Sequence, residues 1–410
     1  MSESDFLEEF AQQKVFKLAW CSVELSPTLP TEILESVVGA TMHLHNDRLV
    51  VIGGRGSRNC NIYQKNLNIE YKTVTGGRAD GEVPRGRAHH CGVLWRHLVI
   101  VFGGELAVPD APLNKECLSD TSILNLYTEM WSRPPSIGLM MPGLKCAGYC
   151  AMGKFMVVNG GVMFDDSFSN ETFAFDTGVF KWSRVVTFWD TQIACHTMCP
   201  VYNDLDGQNL YNGAKKTLTR RKKPESKIRI EGIYIYGGKD RNGQPMGGLR
   251  ILDTQSKPWS VIQPPTKGLS PRPRFGHCCH YSPLQNYLII YGGRNDSIYE
   301  LSGTCVITDV TILDLATFTW SPVTSLNSHP GGGRYFCASA IRNSQFFIVG
   351  GLNDHNFAGG SFECLDLDED FTEKILLKDY DVYTRNKRRE KNIIEGKRAK
   401  SRDRRESGGS

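Results

Sequence analysis

The stretch Asn286 to Asp296 reads NYLIIYGGRND: an apolar run from Leu288 to Tyr291, then two glycines, then charge. A short apolar run bounded by turn residues reads as a buried strand. Ending it on paired glycines needs a reason, because a residue without a side chain weakens a strand. The same wording returns five more times, as LVVIGG at Gly53-Gly54, LVIVFGG at Gly103-Gly104, FMVVNGG at Gly160-Gly161, IYIYGG at Gly237-Gly238 and FFIVGG at Gly350-Gly351. With Gly292-Gly293 in its place, the successive spacings are 50, 57, 77, 55 and 58 residues. A period of that size marks an array of similar units.

Each glycine pair has company at fixed offsets. Upstream stand Arg87-x-x-His90, Arg274-x-x-His277 and Arg334-x-x-Cys337, with Ile193-x-x-His196 and Leu144-x-x-Ala147 as weaker copies. Downstream stands an aromatic: Tyr71, Trp131, Trp182, Trp259, Trp320 and Phe371. Six residues before three of the tryptophans an aspartate closes an apolar run, at Asp176, Asp253 and Asp314. Each unit therefore reads as four short strands. The first carries the Arg-x-x-His, the second ends on Gly-Gly, the third ends near the aspartate, and the fourth carries the tryptophan. One four-stranded sheet cannot bury both its faces, whereas several arranged radially can. The glycines then mark a turn that needs a positive φ or a close backbone approach. The tryptophans supply apolar area between neighbouring sheets.

This pattern resembles the kelch repeat over roughly residues 37 to 371. The resemblance implies a six-bladed β-propeller, all-β, with four antiparallel strands per blade. The first repeat departs from the pattern with Tyr71 and no Arg-x-x-His, and the last departs with Phe371. Trp20, in VFKLAWCSVEL, stands before the first unit. It is expected to close the ring as the outer strand of the last blade, in competition with Phe371 to Leu377, and either choice avoids an unpaired edge. The expected division is an N-terminal segment over 1–18 with a short helix, a propeller over 19–380, and a basic disordered tail over 381–410.

At 410 residues with 40% hydrophobic and 22% charged positions, the chain has the composition of a globular protein with a large core. No run is long and apolar enough to span a bilayer, and the acidic start MSESDFLEEF lacks the features of a secretory signal. The count of 13 cysteines is odd, which argues against a closed disulfide framework. Cys146 and Cys150, or Cys195 and Cys199, sit about 13 Å apart along a strand, beyond the roughly 7 Å a bridge allows. Reduced thiols and an intracellular location, cytoplasmic or nuclear, are expected. The longest spacing holds an insertion at 205–227 in the fourth unit. From Lys215 to Arg229 it has eight basic residues and one acidic, and from Arg385 to Glu406 the tail has eleven and four. Each segment carries net +7, so with +4 overall the remainder is near −10. The two basic appendages suit nuclear import or weak contact with a polyanion such as nucleic acid.

Catalytic and metal chemistry find little support. In GHCCH, His277 and Cys279 face one way along a strand while Cys278 and His280 face the other, so the four do not converge on a metal. No phosphate loop, nucleophile elbow or His-Glu-x-x-His is present. No metal, cofactor or catalytic residue is therefore assigned. The expected function is a protein-interaction module or scaffold, against two alternatives: a propeller enzyme using the central channel, and a substrate adaptor of a ubiquitin ligase. Strand order places the residue after each Gly-Gly and the arginine of each Arg-x-x-His on one face. The candidate partner-binding set is Arg55, Arg87, Lys239, Arg274, Arg294 and Arg334, which Glu105 interrupts. A carboxylate-bearing peptide suits such a set, because the guanidinium fork binds carboxylates bidentately. The competing reading is that the Arg-x-x-His arginines tie the fold together, which leaves Arg55 and Arg294 as the stronger candidates.

Overall fold

Every apolar run before a Gly-Gly pair is the second strand of an antiparallel sheet in a computed structural model of the chain. The structure describes residues 15–18, 20–22, 37–46, 48–55, 62–66, 74–75, 80–106, 116–135, 137–202, 230–325, 332–355 and 362–367. The expected helix before residue 15, the insertion at 205–227, the tail, Tyr71, Phe371 and the alternative closing strand at 371–377 lie outside these residues. The described residues form six sheets of four or more strands and one two-stranded ribbon, and the fold is an all-β propeller.

The first strands of the sheets are Thr41–His45, Cys91–Trp95, Gly148–Met152, Thr197–Val201, Cys278–Ser282 and Ala338–Arg342. Each packs against the next around a central channel, and the last packs against the first. We number the sheets one to six in that order. The Arg-x-x-His motif does not lie on these strands as expected. It forms the lead-in, and each strand starts one residue after the histidine or its equivalent. The aspartates expected at the ends of third strands cap the turn that follows. Asp176, Asp253 and Asp314 each accept a backbone N–H two residues on, from Gly178, Gln255 and Ala316.

Tryptophans fill the spaces between sheets. Trp131, Trp182 and Trp320 stand opposite Leu124, Phe175 and Leu313, the fourth residue of the third strand in each case. Trp131 packs on Val50 and Ile52 of sheet one, Trp182 on Phe102 of sheet two, and Trp320 on Tyr236 of sheet four. Trp259 departs from this pattern. It precedes its strand, Ser260–Ile262, and Val261 takes the position opposite Leu252. Trp20 lies in the strand Trp20–Ser22, which pairs antiparallel with Phe362–Asp366 of sheet six and sets Trp20 opposite Leu365. It packs against Tyr291 of sheet five with ring centroids 5.3 Å apart.

Short parallel strands cover the outer edges. Asp80–Gly81 runs beside Met130–Ser132, Ile137–Gly138 beside Lys181–Val185, and Lys267–Gly268 beside Thr319–Ser325. Each is the connection arriving from the preceding sheet, so the chain protects the edge it passes. Phe16–Leu18 does the same for sheet five, pairing parallel with Val323 to Ser325. The sequence predicts these three residues within an N-terminal segment with a short helix; they are instead a strand, because Phe16 and Leu18 alternate into the core and Lys17 faces out.

Candidate functional site: the ringed mouth of the channel

Two backbone circuits define one end of the channel, and the glycine pairs belong to the outer one. The second glycine of each pair donates its N–H to a carbonyl of the next sheet's lead-in. Gly54 donates to Arg87, Gly104 to Leu144, Gly161 to Ile193, Gly238 to Arg274, Gly293 to Arg334, and Gly351 to Val37, all at 2.8–2.9 Å. The first glycine of the pair lies against that same carbonyl. A Cβ on Gly160 would sit 2.4 Å from the Ile193 oxygen, and one on Gly292 would sit 2.4 Å from that of Arg334, with φ at +63° and +65°. The paired glycines therefore answer two demands at once: a left-handed backbone and the close approach of a neighbouring sheet.

The inner circuit uses the third residue of each lead-in. His89 donates to Gly39, Cys146 to His89, Cys195 to Cys146, Gly276 to Cys195, Phe336 to Gly276, and Gly39 to Phe336, at 2.7–3.0 Å. All six residues have φ between +54° and +68°. Four of them carry side chains, in a conformation that costs an L-residue about 1–2 kcal/mol. The hydrogen bond each one makes along the ring offsets that cost.

The candidate cations divide sharply. Arg87, Arg274 and Arg334 are buried. Arg87 grips Asp120 with two bonds of 3.0 and 2.8 Å and gives a third to the Gly103 carbonyl. Arg274 repeats this with Asp309 and Gly292, and Arg334 with Glu363 and Gly350. Burial pushes the Asp120 carboxyl up, but the hydrogen bond and charge of Arg87 outweigh it and hold the group below the usual carboxylate range. These three arginines are thus withdrawn from the partner-binding set. Their guanidiniums are spent on a neighbouring carboxylate and the carbonyl of the glycine pair.

Arg55, Lys239 and Arg294 remain near the mouth. Arg294 is ion-paired with Asp296, donates to the Tyr335 hydroxyl at 3.0 Å, and lies 5.2 Å from that ring's centroid. Lys239 sits 5.2 Å over the Phe275 ring and makes no ion pair among the described residues. Arg55, half exposed, faces Glu105 at 3.6 Å. Glu105 is a hub: Lys145 lies 3.2 Å and His89 3.7 Å from its carboxylate. Burial alone would lower the Lys145 pKa, but the Glu105 charge and hydrogen bond raise it. Phe275, Tyr335 and Phe336 form an aromatic floor under these cations.

Behind the mouth lies a cavity of about 700 Å³ running through the inner strands. Its imidazoles are held neutral. Burial lowers the pKa of His43 and His196 to about 3 and of His280 to about 4. His43 and His90 both bond the Thr41 hydroxyl, at 3.0 and 3.1 Å, and His277 bonds that of Thr197 at 2.8 Å. In GHCCH the alternation expected from the strand is observed. His277 reaches back to sheet four, while His280 reaches Ser339 of sheet six.

Three parts of this mouth were missed on sequence. Val37 is the sixth lead-in, sixteen residues before Gly53, the same offset that separates Arg87 from Gly103, Leu144 from Gly160 and Arg334 from Gly350. That offset was available as a signal, but the residue type hid it. The inner ring had no residue-type signal at all, since histidine, cysteine, glycine and phenylalanine share it. Lys145 was passed over because it belongs to a lead-in without an arginine.

The fold and the two circuits define a β-propeller built from kelch-like units. A profile of the KLHDC2/KLHL20/DRC7 Kelch-repeats domain matches residues 6–205 and 219–382, and the chain belongs to the kelch-repeat family. It is similar to Kelch domain-containing protein 1 of Mus musculus, 25% identical over 67% of this chain and 65% of that protein. It is also similar to Acyl-CoA-binding domain-containing protein 4 of Arabidopsis thaliana, 26% identical over 71% of this chain and 38% of that protein. Host cell factor 1 of Homo sapiens is 26% identical over 70% of this chain and 13% of its own length. The chain thus spans well under half of these last two relatives. Among solved structures, that of YjhT has a TM-score of 0.57 at 16% identity, covering 79% of this chain and 93% of that one. No helix among the described residues is long and apolar enough to cross a membrane.

Proposed function

We propose that the chain is a six-bladed propeller, closed by its N-terminal strand, that docks an acidic segment of a partner protein on the mouth formed by the glycine-pair loops and lead-ins. Six sheets, two six-membered hydrogen-bond circuits and the register of Trp20 support the count and the closure. The observation that carries the docking reading is the cation set left over once the buried arginines are accounted for. Lys239 and Arg294 stand over aromatic rings at the mouth, and Lys239 is without a carboxylate partner among the described residues. A bound carboxylate would complete Lys239 and compete with Asp296 for Arg294. The loop after Arg294 adds apolar anchors, since its short helix Tyr299–Ser302 exposes Tyr299 and Leu301. Arg55 contributes less in this reading, because Glu105 already faces it.

The test is binding of two peptide pools, one with acidic side chains and one with free C-terminal carboxylates on neutral sequences, to the protein and to Lys239→Glu and Arg294→Glu. A lost charge-assisted contact is worth about 1.5–3 kcal/mol, roughly ten- to a hundredfold in Kd. Either substitution is expected to weaken the preferred pool by that factor while the melting temperature stays put. Unchanged affinity in both variants would remove the mouth from the account. Equal loss for every acidic peptide regardless of sequence would reduce it to an unspecific electrostatic patch.

A further inference from the structure

The inner ring brings two thiols together at the mouth. Cys146 and Cys195 are successive members of the circuit, joined by the Cys195 N–H to Cys146 carbonyl bond of 2.7 Å. Cys146 packs against Cys195 in a small cluster with Val162 and Phe275, close enough for each thiol to act on the other. Both line the cavity, and Cys146 is only partly buried. Cations flank the pair on both sides. Lys145 precedes Cys146, and Lys239 is bonded through its backbone to Ala194, the residue before Cys195, at 2.8 and 3.0 Å. Two further thiol contacts, Cys199 with Cys279 and Cys278 with Cys337, bridge sheets four to five and five to six. Cys199, Cys278 and Cys279 are buried, and the one cation acting on the Cys278–Cys337 contact, Arg334, is already bound to Glu363.

We propose that Cys146 and Cys195 are a reversible dithiol–disulfide site, oxidised by hydrogen peroxide, that covalently joins sheet three to sheet four at the mouth. The chemistry balances in two steps. Cys195 gives up its proton, its thiolate attacks one oxygen of hydrogen peroxide, the O–O bond breaks, and hydroxide leaves and takes up that proton as water, giving a sulfenic acid. The Cys146 sulfur then attacks the Cys195 sulfur. An S–S bond forms, the S–OH bond breaks, and the hydroxyl leaves as water with the Cys146 proton. The two sulfurs lose two electrons in all, and the peroxide takes them to become two waters. Cys195 is the first nucleophile because the neighbouring Cys146 thiol and the charge of Lys239 favour its thiolate over burial. Sheets three and four enter the ring through Leu144 and Ile193 in place of the buried arginines of sheets two, five and six, so a covalent tie there adds a constraint that no ion pair supplies among the described residues.

The experiment treats the full chain with graded hydrogen peroxide, alkylates the remaining thiols, and maps disulfide-linked peptides by mass spectrometry. The expected product is the Cys146–Cys195 linkage, formed roughly tenfold faster than any other linkage in the chain. It should raise the melting temperature and reverse with dithiothreitol. Cys146→Ser should abolish the linkage and the shift. The mapping of the unmodified chain stands even if that variant misfolds. A linkage at Cys199–Cys279 or Cys278–Cys337 that forms first would overturn the proposal. So would sulfinic acid accumulating on Cys195 with no cross-link, or no reaction at peroxide levels that oxidise a free cysteine.

Discussion

Sheets two, five and six are entered through an arginine, and sheets one, three and four through Val37, Leu144 and Ile193. The first group carries a buried guanidinium, ion-paired to an acid and bonded to the glycine-pair carbonyl. The second group places an aliphatic side chain at the same point, buried to 1% exposure or less. Yet the hydrogen bonds from the glycine pairs to the lead-ins fall within 2.8–2.9 Å in both groups. What the sheets share is the backbone circuit; the arginine is one of two ways to fill the space beside it. This fits the general behaviour of buried ion pairs, which are costly to break but often replaceable by apolar packing.

If the circuit is the common element, substituting its glycines should be equally damaging in both groups. Gly160→Ala, opposite Ile193, and Gly292→Ala, opposite Arg334, each force a Cβ to within 2.4 Å of a carbonyl at positive φ. Each should cost at least about 3 kcal/mol, combining overpacking with left-handed strain. Denaturant unfolding of the two variants checks this, and a large gap between them would tie the circuit's strength to the arginine.

A graded effect is expected within the arginine group. Glu363 is fully buried, whereas the side chains of Asp120 and Asp309 are 32% and 45% exposed. Removing the guanidinium takes a charge partner from a fully buried carboxylate in the first case and from partly solvated ones in the other two. Arg334→Ala should therefore cost about 3–5 kcal/mol, with Arg87→Ala below it and Arg274→Ala lowest. Pairing Arg334→Met with Glu363→Leu should recover most of the loss. Equal losses across the three single variants would show that the bond to the glycine carbonyl, rather than the ion pair, dominates.

Much of this organisation was legible in the sequence, and the failures have physical causes. The glycine pairs announce themselves because no other residue meets their demands, and the tryptophans because a large aromatic recurs at a fixed offset, although Val261 takes that place in sheet four. The arginines were visible as a repeated type, but nothing in the sequence separates a guanidinium facing solvent from one facing Asp120, since the acid lies 33 residues away. The inner ring was invisible because its requirement falls on the backbone, and four different residue types satisfy it. Phe16–Leu18 was misread because three residues are too few to display a period, and the strand forms only against an edge supplied by sheet five.

The histidines sharpen the comparison through pH. His43, His196 and His280, with folded pKa values near 3 to 4, sit on the first strands or lead-ins of sheets from both groups. The unfolded chain takes up protons at about pH 6.5, before the folded chain does. Stability should thus be fully present above that value and fall as pH drops toward 4, by up to about 1.4 kcal/mol per pH unit for each histidine. A urea midpoint that stays flat between pH 7 and 5 would mean that these rings are hydrated in solution.

The central claim is that the ring closes through the N-terminal strand, with Trp20 holding in sheet six the place that Trp320 holds in sheet five. Both indoles are buried, and each stands opposite the leucine at the fourth position of its third strand. The direct test is the unfolding free energy of Trp20→Ala measured beside Trp320→Ala. Closure predicts comparable losses, about 3–5 kcal/mol each. A Trp20→Ala variant as stable as the unmodified chain, with Trp320→Ala strongly destabilised, would contradict it.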